Sequence, residues 1–383
     1  MMNAGVRDLT GAPDEYALGN RPKLRTRKTQ FGERSIVIRT SDSISFKKCR
    51  RSWAWSSHLM SNLGSKNLAT PLWFGSGIHY ALEDFHGKKM FKSAADAFAA
   101  YCIATSKQNL RELPHDAQEK YKLGKAMMDY YEFKWLSIRK PHKTYEENGV
   151  LQTEVDFQIP VPLDQYPHLA RMAAYHDADS IVYSGTMDGV AIDEFGRLWI
   201  VEYKTAARAE HYHYMTDPQV TRYVWAARQI YDKPIAGVIY MQFVKKEAEQ
   251  PRILSSGKVS TASNQVTSVP LYKEVLTNMY GDLSIAPKEN LAYLEELEMK
   301  EDEHRDAYIQ RVLVERNAHS TIAEAQAILL ELEDMLDPNL ALYPNPTREC
   351  SRMCSFLGPC VSFSDGGDWE SNLQTNFAER DQA

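Results

Sequence analysis

The apolar positions along the chain change period several times, and each change predicts an element. Residues 1–40 carry many Arg, Lys, Gly and Pro and few large apolar side chains, the composition of an arm. From Ser41, Phe46, Cys49, Arg50 and Trp53 recur at three- and four-residue steps, which predicts a helix. After a loop with Gly64 and Pro71, Gly75-Ser76-Gly77 opens a helix holding His79, Leu82, Glu83 and Phe85. Residues 92–138 read as two more helices, broken near Pro114. From Val150 the period falls to two: Leu151, Thr153, Val155, Phe157 and Ile159 alternate as in a strand. Ser180–Ile192 and Arg197–Thr205 are two further strands around Asp193-Glu194-Phe195-Gly196, a hairpin signal because glycine takes the left-handed conformation a short loop demands. Asp217-Pro218 marks a helix start, with Asp as cap and Pro in the first turn. Ile235–Val244 is apolar almost throughout, as in a strand covered on both faces. Residues 250–270 are polar and rich in Ser and Thr, and predict a loop or an irregular hairpin. Helical patterns over 284–316 and 320–336, the second with Ile322, Ala325, Ile328, Leu329, Leu332 and Met335 on one face, predict a helical hairpin packed on the body.

This order divides the chain into a basic arm at 1–40, a core at 41–273, a helical insertion at 274–337, and a Pro-, Gly- and Cys-rich segment at 338–383. The fold class it predicts is α/β with helical decoration. The composition, 43% hydrophobic and 25% charged, is ordinary for a globular protein. No stretch approaches the ~20 apolar residues of a membrane span, and Met1–Asn20 lacks the apolar centre of a signal peptide. The expected compartment is the cytoplasm, without membrane association. There disulfides are rare, so five cysteines are thiols or metal ligands. Net charge is −6, yet between Arg21 and Arg51 eleven Lys and Arg stand against two acids, a local field suited to a polyanion. Trp53, Trp55, Trp73 and Phe74 near this stretch are candidates for stacking on bases or for core packing.

The densest chemistry lies in Gly185-Thr186-Met187-Asp188-Gly189 and Ile200-Val201-Glu202-Tyr203-Lys204-Thr205. Strand alternation puts Glu202 and Lys204 on one face. A three-residue loop, Glu194-Phe195-Gly196, pairs Asp193 with Arg197 and therefore Asp188 with Glu202; a two- or four-residue loop would not. Two carboxylates a strand apart suit Mg²⁺ or Mn²⁺, hard cations that prefer oxygen. Such a metal activates water against a phosphodiester, and a nearby lysine can position that water. Val201, Tyr203, Ile200 and Trp199 make the strand too apolar for a casual surface ion pair. Gln219 and Tyr223 lie one turn apart near a helix N-terminus, where a phosphate is favoured. His79 can complete a metal shell or be structural. The set His79, Glu83 and His86 imitates zinc spacing but lacks the paired histidines of a zinc helix.

Cys350, Cys354 and Cys360 place three thiols in eleven residues, with Gly358 and Pro359 keeping the segment open. A four-thiolate site needs one more. Cys49, in the basic Phe46-Lys47-Lys48-Cys49-Arg50-Arg51, suits a thiolate better than Cys102 in Ala99-Ala100-Tyr101-Cys102-Ile103, which reads as a core thiol. Spacing alone does not separate zinc from iron–sulfur.

Taken together, Ser45-Phe46-Lys47-Lys48-Cys49-Arg50-Arg51, Gly75-Ser76-Gly77-Ile78-His79, Glu154 in a strand, Gly185-Thr186-Met187-Asp188, Glu202-Tyr203-Lys204-Thr205, Gln219-Val220-Thr221-Arg222-Tyr223 and the closing cysteines resemble, in content and order, the RecB-like branch of the PD-(D/E)XK nucleases. Within it they resemble the iron–sulfur members: AddB nuclease domains, CRISPR-adaptation exonucleases, exonuclease V and phage or bacterial recombination exonucleases. The resemblance covers roughly 41–88, 150–245 and 346–362. It implies a restriction-endonuclease-like core, a mixed central sheet flanked by helices, with helical insertions and a C-terminal cysteine cluster. It implies a metal-dependent DNA exonuclease of recombination or repair, acting on single-stranded or end-processed DNA, beside a helicase, recombinase or annealing protein. His79, Asp188, Glu202 and the Tyr203 carbonyl would ligate Mg²⁺ or Mn²⁺, Lys204 would be the catalytic lysine, and Gln219 with Tyr223 would support substrate or lysine. Cys49, Cys350, Cys354 and Cys360 would hold a 4Fe–4S cluster, with Zn²⁺ as the alternative. Three residues separate Cys350 from Cys354 where the family often has two, and Met187 replaces the namesake proline. A non-catalytic DNA-binding scaffold and a structure-specific endonuclease are the competing readings.

Overall fold

The computed structural model describes residues 21–30, 32–66, 70–106, 115–210, 212–302 and 306–380. The first twenty residues of the expected arm and the helix break at Pro114 lie outside these. The chain divides into two compact units, one from the described parts of Met1–Asn67, Asp156–Gly185 and Ile322–Ala383, the other from those of Leu68–Val155 and Thr186–Thr321. The fold is mixed α/β, with a central mixed sheet flanked by helices.

In the first unit, strand β1 (Arg34–Arg39) is followed by helices α1 (Thr40–Lys48) and α2 (Arg50–Ser56). Ile36, Val37 and Ile38 are buried, so this part of the expected arm is core strand. Three consecutive β-branched residues outweigh the basic composition around them. β1 pairs in parallel with Ser180–Ser184. The predicted helix from Ser41 divides at Cys49, whose extended backbone (φ −164°, ψ 113°) ends α1 and caps α2.

In the second unit, α3 (Thr70–Glu83), α4 (Ala94–Thr105) and α5 (His115–Tyr130) supply Phe74, Ile78, Phe98 and Met128 to a core with Val201, Tyr203, Met241 and Phe243. Strand β2 (Thr153–Pro160) leads to β3 (Ser180–Ile192), and β3 pairs antiparallel with β4 (Leu198–Ala206) from Gly189–Val201 to Ile192–Leu198. Helix α6 (Pro218–Ile230) begins as predicted, Asp217 accepting the Gln219 N–H. β5 (Ile235–Val244) runs parallel to β4 over its whole length.

Beyond β5 the expected helical hairpin does not form. The region holds α7 (Val269–Tyr280), α8 (Lys288–Asp302), strand β6 (Ile309–Glu315) and α9 (Ala318–Leu336). β6 pairs antiparallel with β5 from Ile309–Phe243 to Glu315–Gly237. Its Val312 and Val314 are buried while Leu313 and Glu315 are exposed, a period of two that the preceding helical repeat obscures. On α9 the inner face holds Ile328, Leu332 and Met335, but Ile322 is 60% exposed. Trp53, Trp55, Trp73 and Phe74 are buried, so these aromatics pack the core and are not free to stack on bases.

Candidate active site

The β3–β4 hairpin is the frame of the site. Asp193 N–H donates to the Arg197 carbonyl at 3.0 Å, leaving Glu194-Phe195-Gly196 as a three-residue loop. Gly196 takes φ +76°, and Asp193 Oδ1 accepts the N–H groups of Phe195 (3.0 Å) and Arg197 (2.9 Å). The odd loop keeps parity: Gly189 pairs with Val201, so Asp188 stands opposite Glu202, with Lys204 two residues on.

Asp188 is held on two sides. Its Oδ2 accepts the Tyr203 backbone N–H at 2.6 Å and its Oδ1 meets His79 Nδ1, from α3, at 3.1 Å. Burial alone would lower the His79 pKa, but the charges of Asp188, Glu202 and Glu154 reverse this and raise it. The expected ligand atom of Tyr203 is its carbonyl; its N–H holds Asp188, and its ring lies 6.2 Å from those of His79, His86 and Phe243.

Glu202 is 2% exposed and forms an ion pair with Lys204, yet its Oε2 has no hydrogen-bond partner. Burial, and then the facing Asp188 charge, push its carboxyl up to about 8 despite Lys204. Lys204 Nζ also donates to Gln219 Oε1 at 2.7 Å, and Gln219 Nε2 donates to the Tyr223 hydroxyl at 2.8 Å. One turn of α6 thus gives the ammonium a second acceptor besides Glu202. Burial would depress Lys204, but Glu202 and Asp188 hold it above its ordinary value.

Glu154 joins this group. The Val190 N–H donates to the Gln152 carbonyl at 2.8 Å, an antiparallel register that brings Glu154 opposite Asp188. Ligand atoms of His79, Glu154 and Asp188 lie within 4.8 Å of one another. Strand alternation gave Glu154 no special role; its φ of +48°, uncommon for a non-glycine residue, departs from that alternation. An acid amid Leu151, Thr153, Val155 and Phe157 was the available signal. The zinc-like set is not brought together: Glu83 pairs with Lys88 at 2.5 Å and His86 stacks on His142 at 4.1 Å.

The four expected cysteines lie in the first unit, near enough for their thiols to interact, but no three of their sulfurs come within 4.8 Å of one another. Cys49 lies at the α1–α2 break, Cys350 opens the short helix Cys350–Met353, and Cys360 lies in the helix Leu357–Ser364. The Asn345 and Thr347 N–H groups approach the Cys49 and Cys350 sulfurs at 3.4 Å each. Burial, then the other thiols, raise Cys354 and Cys360, while Arg51 acts oppositely on Cys360. Cys102 is a core thiol that burial pushes up to about 12.

Every ligand type here is oxygen or imidazole at the carboxylates and thiol at the cysteines. The buried Glu202 oxygen without a donor fits a hard dication, which would satisfy it and lift the repulsion from Asp188. Among the described residues no helix is long and apolar enough to cross a membrane. A model of the PD-(D/E)XK nuclease superfamily matches residues 41–361. Comparison with curated proteins gives no match.

Proposed function

From the premise that the chain belongs to the PD-(D/E)XK nuclease superfamily, we propose that it is a DNA exonuclease using Mg²⁺ or Mn²⁺ at Asp188, Glu202 and Lys204. The observation that carries this is the buried Glu202 facing Asp188, with one oxygen unpartnered and Lys204 alongside. Leaving a carboxylate so placed costs several kcal/mol by burial alone, a cost a binding role explains.

Asp188, Glu202, Glu154 and His79 would hold the dication, which when bound acidifies water and neutralises phosphate charge. Lys204, oriented by Glu202 and Gln219, would be the catalytic cation, its ammonium donating to the attacked phosphate or steering the water. Gln219 and Tyr223 are positioning residues, because they act on the substrate through the lysine. His79 holds Asp188 by its Nδ1. Water adds to phosphorus, one P–O ester bond breaks, and the proton lost by water is matched by one gained at the leaving oxygen.

Cys49, Cys350, Cys354 and Cys360 would hold a 4Fe–4S cluster with a structural role in recombination or repair. The Asn345 and Thr347 N–H groups, which approach the Cys49 and Cys350 sulfurs, would stabilise those sulfurs as thiolate ligands. Closure of the chain between Cys49 and Cys350 restrains the unfolded state.

The test uses anaerobically purified protein and its Lys204→Ala variant with end-labelled linear single- and double-stranded DNA and a closed circle. Metal-dependent loss of linear DNA with wild type alone supports the exonuclease. Cutting of the circle makes it an endonuclease; DNA binding by both without cleavage refutes catalysis.

A further inference from the structure

A cavity of about 690 Å³ opens at the tip of the β3–β4 hairpin, entirely within the second unit. Its lining residues Ala191 and Trp199 lie three positions from Asp188 and Glu202 on their strands, and at about 3.3 Å per strand residue its near wall is roughly 10 Å from the carboxylates. The volume falls in the range of small-ligand sites, roughly 300–1,000 Å³.

Its walls are basic. Arg139, Lys140, Lys143, Arg197 and Arg311 line it. Two of these are neutralised: Arg139 by Glu301 at 2.6 Å and Arg197 by Asp193 at 2.8 Å. Among the described residues Arg311 donates to a neutral acceptor, the Lys140 carbonyl at 2.7 Å, and it lies over the Trp135 ring at 5.1 Å. Lys140 and Lys143 are exposed. Against these five cations stand four acids, Asp193, Glu194, Glu301 and Asp306, so the lining carries one more cation than it has acids.

Two further features bear on the ligand. Phe195 is 75% exposed at the tip, although the turn needs only Gly196 and the Asp193 cap. The Arg197 guanidinium lies 5.4 Å from its ring and 5.7 Å from that of Trp199, so an aromatic plane stands beside fixed cations. Glu301 is 8% exposed and lines the cavity beside the Asp306 carboxyl; Arg139 takes its Oε2, and among the described residues no group donates to its Oε1. A planar ring, free lysines and a buried unpartnered acceptor are what a base, a phosphate and an exocyclic amino group require.

We propose that this cavity is a second nucleotide-binding site, with the base on Phe195, its amino group toward Glu301 and the phosphate at Lys140 and Lys143. The ligand is a nucleotide unit with an amino-bearing base, either within a DNA strand that also reaches the carboxylates or free. The strand source rests on the nuclease reading; the site itself does not.

The full chain in EDTA, where cleavage is off, tests this with fluorescent oligo-dC of ~4 and ~12 nucleotides and with dCMP. Phe195→Ala and the double variant Lys140→Ala/Lys143→Ala alter exposed side chains, and circular dichroism checks that they fold. For the strand source, Phe195→Ala weakens the long oligonucleotide about 10-fold and leaves the short one unchanged. The double variant flattens the salt dependence of the long one by about 1.4 in log–log slope. Oligo-dT binds more weakly than oligo-dC. For the free source, dCMP binds wild type and not Phe195→Ala, while oligonucleotide affinities do not move. If neither variant alters either probe, the site does not exist. Hydrolysis of the short oligonucleotide in Mg²⁺ is measured in parallel, so failure of the nuclease reading is seen separately.

Discussion

Replacing Glu202 by Gln should make the metal-free protein more stable at neutral pH while removing its response to metal. Glu202 is 2% exposed, with one oxygen unpartnered, and burial followed by the Asp188 charge lifts its pKa from 4.5 to about 8. A carboxyl raised on folding contributes fully below about 4.5, and that contribution drains away as pH climbs toward 8. Each pH unit in that interval is worth about 1.4 kcal/mol, so by pH 7 the loss is roughly 3 kcal/mol. A neutral amide escapes it. Part of the gain is surrendered because Lys204 loses its ion pair and keeps Gln219 with the charges of Asp188 and Asp217. The expected net advantage of the variant is about 1–2 kcal/mol at pH 7, near zero at pH 5 and largest at pH 8. Urea midpoints in EDTA across this range measure it. In saturating Mg²⁺ or Mn²⁺ the order inverts, since the dication stabilises the wild-type carboxylate and finds less in the amide. A stability difference flat with pH, or an equal gain from metal in both proteins, would refute the reasoning.

Three further outcomes are expected. Glu154→Gln should raise the Mn²⁺ concentration needed for half-maximal cleavage by about 10-fold, with folding retained, because its oxygen lies within 4.8 Å of the His79 and Asp188 ligand atoms; metal titration of the cleavage rate decides this. Cys354→Ser should lose visible absorbance and stability together, checked by iron, sulfide and zinc analysis and by thermal melting; full colour in the variant would remove Cys354 from the cluster. Gly237→Ala should cost about 3 kcal/mol, because its new methyl would meet the Val314 carbonyl oxygen at 2.2 Å and neither backbone can swing aside; an unchanged urea midpoint would contradict the β5–β6 register.

Much of the hairpin was legible because its determinants are local. The left-handed glycine at 196 and the count of residues between Asp193 and Arg197 set the parity that puts Asp188 opposite Glu202. The Asp217 cap and the apolar run of β5 are equally local, resting on one side-chain hydrogen bond and on composition. β6 was not legible: seven residues between two helices read as more helix, and only pairing with β5 makes Ile309–Glu315 a strand. Nor did β1 stand out, since its buried Ile36, Val37 and Ile38 sit in a basic stretch whose composition suggested an arm.

For the site, the sequence by itself supplied the carboxylates, the lysine and their shared face, because strand period and turn length act over a few residues. The tertiary structure alone decided that His79 meets Asp188 across 109 positions of chain, that Gln219 reaches Lys204, and that Glu154 arrives opposite Asp188 with a positive φ. It also decided that one oxygen of Glu202 is buried without a donor. Such facts depend on which distant segments pack together, and a local period carries no information about that.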